Sequence, residues 1–85
     1  MKVLIPSALR SYTQDAETEA TGATLAEVLD NLDRQYPGIR FRMIDEQERI
    51  RRHIRFFVDG DEVKVLSQPL QPTQELVIAQ ALSGG

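Results

Sequence analysis

Eighty-five residues make one small domain and leave no room for a second, since domains run to about 100 residues and seldom fold alone below roughly 40. Thirteen acidic against ten basic side chains give a net charge of −3 with 41% hydrophobic residues, a composition that folds and a field that draws in neither nucleic acid nor an anionic membrane. The absence of cysteine excludes disulfides, thiolate metal sites and thiol nucleophiles together.

The opening Met1 to Pro6 holds an apolar stretch too short for a signal peptide, and nowhere do about 18 apolar residues run together, so the expected address is the cytoplasm, with no membrane partner. Val3, Leu4 and Ile5, a branched run closed by Pro6, predict a first strand with both faces covered. Residues 7–15 read as polar and irregular. Glu17 and Glu19 then alternate with Thr18 and Ala20, which predicts a second, weakly specified strand.

Thr24-Leu25-Ala26-Glu27 is a capping box, in which hydroxyl and carboxylate each satisfy an orphan amide, so a helix starts here. Leu25, Val28, Leu29, Leu32 and Tyr36 fall on one apolar stripe, with Glu27, Asp30, Asn31, Asp33 and Arg34 around the rest. Pro37-Gly38 stops the helix. Between residues 39 and 53 the apolar side chains fit neither period, and one helical turn followed by loop is expected.

Ile54–Val58 is the strongest strand signal, followed by an Asp59-Gly60 turn and a short Val63-Lys64-Val65 run, which together predict a hairpin. Pro69 and Pro72 mark a loop before a last strand over Glu75–Ala79. One amphipathic helix and four or five strands bury one layer against the other, an α+β arrangement whose order suits a β-grasp sheet. The whole of residues 1–85 reads as a single domain with a flexible tail at 82–85.

Residues able to carry chemistry are scarce. His53 is the only histidine and has no partner His or Cys for a triad or metal site, so it reads as a solvated side chain. Asp59, Asp61 and Glu62 lack the longer loop and distal glutamate of a calcium site and read as turn residues; no metal ligands are assigned. Gly22, Gly38 and Gly60 lie too far apart to cradle a phosphate. Residues 40–55 hold six arginines against three acids, whereas the remainder holds four basic and ten acidic residues. That asymmetry fits an ordinary solvated or partner-facing surface better than an RNA site, because acids are interleaved and no stacking platform accompanies them.

Strand alternation puts Arg55 and Phe57 on the side opposite Ile54, Phe56 and Val58. If the latter three meet the helix, Phe57 and Arg55 join Val77 and Ala79 in an exposed partner surface; a shift of one residue instead puts Phe57 in the core.

The sequence closes on Leu82-Ser83-Gly84-Gly85, a pair of glycines directly after a core strand. At about 7% glycine usage such a pair arises by chance in roughly 0.5% of chains. A frayed end competes with a role for a tail without Cβ atoms, which enters a narrow channel in a partner enzyme. A carboxylate there needs activation, most simply as a mixed anhydride with AMP, after which a sulfur nucleophile displaces AMP and leaves a thiocarboxylate.

These residues resemble the ubiquitin-like sulfur-carrier proteins of bacteria, the β-grasp family that includes the small molybdopterin synthase subunit, the thiamine sulfur carrier and the carriers for cysteine synthesis. The resemblance spans the whole chain: Val3-Leu4-Ile5-Pro6 with Leu9-Arg10, Gly22-Ala23-Thr24-Leu25, Tyr36-Pro37-Gly38-Ile39, Phe57-Val58-Asp59-Gly60-Asp61-Glu62-Val63 and Ser83-Gly84-Gly85. The Ile-Pro-Ser-Ala-Leu-Arg opening and the long arginine segment look most like the cysteine-synthesis carriers. The family often has proline near the place of Gln80, a departure that bears on which downstream enzyme accepts the tail.

The resemblance implies a protein co-substrate and not an enzyme, with no catalytic residue and no stably bound cofactor, ATP being used by the partner. It implies that Gly85 is adenylated by an E1-like adenylyltransferase and converted to the thiocarboxylate, with Gly84, Ser83 and Leu82 giving access to that enzyme. A sulfur-accepting biosynthetic enzyme follows, such as a pyridoxal-phosphate-dependent synthase, with sulfur bound for cysteine or methionine synthesis ahead of molybdopterin. Some relatives carry residues beyond the glycines, which a metalloprotease trims. Two alternatives stay open: a ubiquitin-like modifier joined to target lysines, and an interaction domain for which the tail is incidental.

Overall fold

In the computed structural model, which describes residues 1–81, β1 (Lys2–Leu4) pairs antiparallel with β2 (Glu17–Glu19). Its other edge pairs parallel with the last strand of the chain, β5 (Glu75–Gln80). β5 in turn pairs antiparallel with β3 (Ile54–Val58), and β3 turns back into β4 (Asp61–Val63). The order β2-β1-β5-β3-β4 makes the final strand the central one of a mixed five-stranded sheet, the β-grasp arrangement expected. The tail expected at 82–85 lies outside the described residues.

The segment read as irregular is helical instead: a 3₁₀ turn over Ser7–Leu9 runs into α1 (Arg10–Thr13). Leu9 is its one strong apolar anchor, too little to register as a period, and burial of Leu9 and Thr13 against the rest of the protein stabilises the coil.

The main helix, α2 (Leu25–Gln35), starts where the capping box puts it. Thr24 Oγ1 accepts from the Glu27 amide at 3.3 Å, and Glu27 Oε1 reaches back to the Ala23 amide at 3.1 Å, one residue before the cap itself. The next orphan donors are met by the β4–β5 connection, Leu25 N–H donating to the Gln68 carbonyl and Ala26 N–H to that of Leu66. Leu25, Val28, Leu29 and Leu32 are fully buried, each stabilising the helix on the sheet by about 2 kcal/mol, while Tyr36 is half-buried.

Gly38 takes the left-handed conformation (φ 98°), but it opens α3 (Ile39–Met43) and does not close α2, which ends on Tyr36 (φ −132°, ψ 82°), outside both the helical and the left-handed regions. Asp33 Oδ1 accepts from the Gly38 and Arg40 amides, both at 3.1 Å, and so ties the two helices together.

In the hairpin, Asp59 (φ 49°) and Gly60 (φ 90°) form a two-residue turn of the primed type. That geometry pairs Val58 with Asp61, so β4 begins two residues before the expected Val63–Val65 run; Val63 is core, and Val65 lies beyond the strand at 55% exposure. Ile54, Phe56, Val58, Leu76, Ile78 and Val3 face the helices and are buried.

Candidate functional site

The register of β3 resolves the alternative left by alternation. Phe56 lies opposite Ile78 and Val58 opposite Leu76, all buried, so Phe57 is not core. Phe57 lies opposite Val77 and Arg55 opposite Ala79, and these four share the sheet face turned away from α2. Phe57, Val77 and Ala79 are half-buried and Arg55 is exposed.

Leu4 belongs to the same surface, since β1 sets it beside Val77. Sequence reasoning missed it by reading β1 as covered on both faces; Leu4 is only half-buried, because the helices cover one side of the sheet alone. The apolar centre is rimmed by charge. Lys2 stands 3.3 Å from Glu17 and 3.7 Å from Glu75, and Arg55 Nε stands 3.7 Å from Glu62. Glu17, by its hydrogen bond and then its charge, and Glu75, by its charge, raise the Lys2 pKa above its ordinary value.

The central strand runs out next to the arginine segment: the Ala81 amide donates to the His53 carbonyl at 2.8 Å. His53 is half-buried there and has no metal-binding company, for no group of three His, Asp or Glu able to hold a metal ion occurs among the described residues. Asp59 serves the fold, its carboxylate accepting from the Glu75 amide at 3.1 Å. Leu82, Ser83, Gly84 and Gly85, assigned from the sequence to activation and access, lie outside the described residues. Among those described, no helix is long and apolar enough to cross a membrane.

A mixed sheet with its last strand in the centre, one main helix on one face and an open apolar patch on the other define a ubiquitin-like β-grasp protein. The pattern of the ThiS family matches residues 3–85, and the chain belongs to that family of sulfur carriers. It is 28% identical over 89 aligned positions to sulfur carrier protein CysO of Mycobacterium tuberculosis, covering 98% of this chain and 96% of that one. A chain in the crystal structure of the Amycolatopsis orientalis BexX/CysO complex matches with a TM-score of 0.91 and 32% identity, covering 99% of this chain and 98% of its own. SAMP1 from Haloferax volcanii shares the fold, with a TM-score of 0.80 at 22% identity over 100% of this chain and 98% of its own. Carriers of this kind are small protein substrates and not catalysts, and this chain is one of them.

Proposed function

We propose that this protein carries sulfur on the carboxylate of Gly85. An E1-like partner joins that carboxylate to the α-phosphorus of ATP, releasing pyrophosphate. A sulfur nucleophile, sulfide in the simplest case, then attacks the acyl carbon, AMP leaves, and a thiocarboxylate remains. The sulfur passes to an acceptor enzyme of cysteine-type amino acid synthesis, a destination supported by the likeness to CysO proteins over nearly the full length of both chains.

The observation that supports the reading is the placement of β5. The strand leaves the middle of the sheet at Ala81 with four residues to Gly85, a chain length that spans at most about 14 Å. The activating enzyme therefore approaches the end of the sheet closely, and the patch of Leu4, Phe57 and Val77, continued toward that end by Ala79 and Arg55, offers it an apolar anchor.

The test is the intact mass of the protein after incubation with ATP and sulfide in an extract of its host, beside a variant lacking Gly85. A gain of one oxygen-to-sulfur exchange, confined to the intact chain, is expected. No gain in an extract that loads a known carrier overturns the proposal.

A further inference from the structure

The interleaved charges of residues 40–55 separate once the chain folds. Arg40 takes up two acids: its Nη1 and Nη2 bond Glu48 at 3.1 and 3.0 Å, and its Nε stands 3.0 Å from Asp30 Oδ1, off line for a hydrogen bond. Asp45 turns inward on its own loop, Oδ1 accepting from the Gln47 and Arg49 amides. Of the three acids in the segment, Glu46 alone keeps its carboxylate unengaged among the described residues.

Of the five other arginines, four gather beside the end of the sheet, Arg42, Arg51, Arg52 and Arg55, the last of them 3.7 Å from Glu62. Arg51 is held rigidly, its Nε donating to the Phe41 carbonyl at 2.8 Å and its guanidinium lying 4.7 Å from the centre of the Phe41 ring, itself 57% exposed. Arg51 forms a wall shared by two shallow depressions. One, of about 350 Å³, is lined by Phe41, Arg42, His53 and Gln80, the residue before Ala81. The other, of about 320 Å³, is lined by Arg52, Arg55 and Lys64, with Glu62 as its one acid. Arg42 and Arg52 are exposed and make no ion pair among the described residues.

We infer that this band, from Arg42 across Arg51 and Arg52 to Arg55, is a docking surface for an acidic segment of the protein that receives the tail. The inference rests on the proposed function for the identity of that protein. Charge complementarity selects the occupant: a cationic band on a molecule of net charge −3 attracts acidic surface locally while the remainder repels it, so the field orients the encounter with the tail's exit toward the partner. The band continues into the apolar face through Arg55, which lies opposite Ala79 on that face. A protein is favoured over RNA because Phe41 is already covered on one side by Arg51 and no second exposed aromatic accompanies it in the band.

Two measurements test this on the intact chain, using Arg42→Glu/Arg52→Glu, whose side chains hold nothing else in place, and Arg34→Glu on the exposed side of α2 as control. In the first, fluorescence polarisation follows binding of labelled octaglutamate and of a labelled uridylate 12-mer at low salt. Octaglutamate is expected to bind, to weaken with salt, and to lose at least tenfold in affinity in the double variant but less than twofold in the control. No peptide binding, equal loss in the control, or tighter binding of uridylate overturns the inference. In the second, loading with sulfur in host extract is expected to show KM for the carrier raised at least fivefold with kcat unchanged. An unchanged KM in an extract that loads the wild-type chain overturns the inference and leaves the sulfur-carrier proposal standing. An extract that loads a known carrier but not this chain overturns the sulfur-carrier proposal, and the peptide measurement then decides the chemistry of the band by itself.

Discussion

Phe57 on β3 and Val77 on β5 stand directly opposite each other on the sheet face that no helix covers, one residue out of phase with the buried pair Phe56 and Ile78. Neighbouring phenylalanines thus serve opposite sides of one sheet. Phe57→Ala is expected to cost about 1 kcal/mol of stability yet to raise KM for loading of the carrier by about tenfold, as removal of an aromatic anchor does. Phe56→Ala is expected to cost about 3–5 kcal/mol through the cavity it leaves. Thermal melts beside loading kinetics separate the two; equal effects of both substitutions on melting show that the open face is not open.

Gly22 sits where the chain brushes the start of α2. A Cβ added there comes within 2.5 Å of the Val28 amide nitrogen and 2.7 Å of the Glu27 carbonyl carbon, backbone atoms that cannot swing aside. Gly22→Ala is expected to destabilise by about 1–3 kcal/mol, read as a fall in Tm of at least about 5 °C. Gly60→Ala meets no neighbour and strains only its own left-handed backbone, so its loss is expected to be about 1 kcal/mol. A larger loss at Gly60 than at Gly22 contradicts this.

Asp33 supplies one carboxylate oxygen to two amides, those of Gly38 and Arg40, and so sets where α3 begins. Asp33→Ala is expected to lower stability by about 1 kcal/mol, as loss of a capping acceptor does. The change is local: amide exchange at Gly38 and Arg40 accelerates at least tenfold while that of Phe56 and Ile78 follows the global stability. Unchanged protection at both amides shows that the two bonds hold nothing.

Lys2, between Glu17 and Glu75, has its pKa raised by them above the ordinary 10.5. A raised value in the folded state means that the charged lysine stabilises the fold below that ordinary value for as long as Glu17 and Glu75 stay ionised, and that the contribution fades as pH climbs through the raised one. The Tm difference between the wild-type protein and Lys2→Met is therefore expected to be constant through neutral pH and to shrink as pH climbs past the ordinary 10.5 and through the raised value. The effect is small because the pair is exposed. A difference that persists unchanged at high pH assigns it to packing of the lysine stem and not to its charge.

Where a local signal is strong and unopposed, the amino-acid sequence is enough to set the element. The capping box at Thr24 and the stripe from Leu25 to Leu32 place α2, and the alternation of Ile54–Val58 before Asp59-Gly60 places β3 and its turn. In each, backbone propensity and side-chain period point the same way, and tertiary contacts reinforce a conformation already preferred. Tertiary structure alone decided which face of the sheet is open, that Leu4 joins Phe57 and Val77 there, that residues 7–13 coil, and which arginines of residues 40–55 keep a charge to offer. Those outcomes depend on strand register and on partners such as Asp30 with Arg40, residues ten positions apart in sequence. A pattern read along one strand or loop carries no record of what the fold sets beside it.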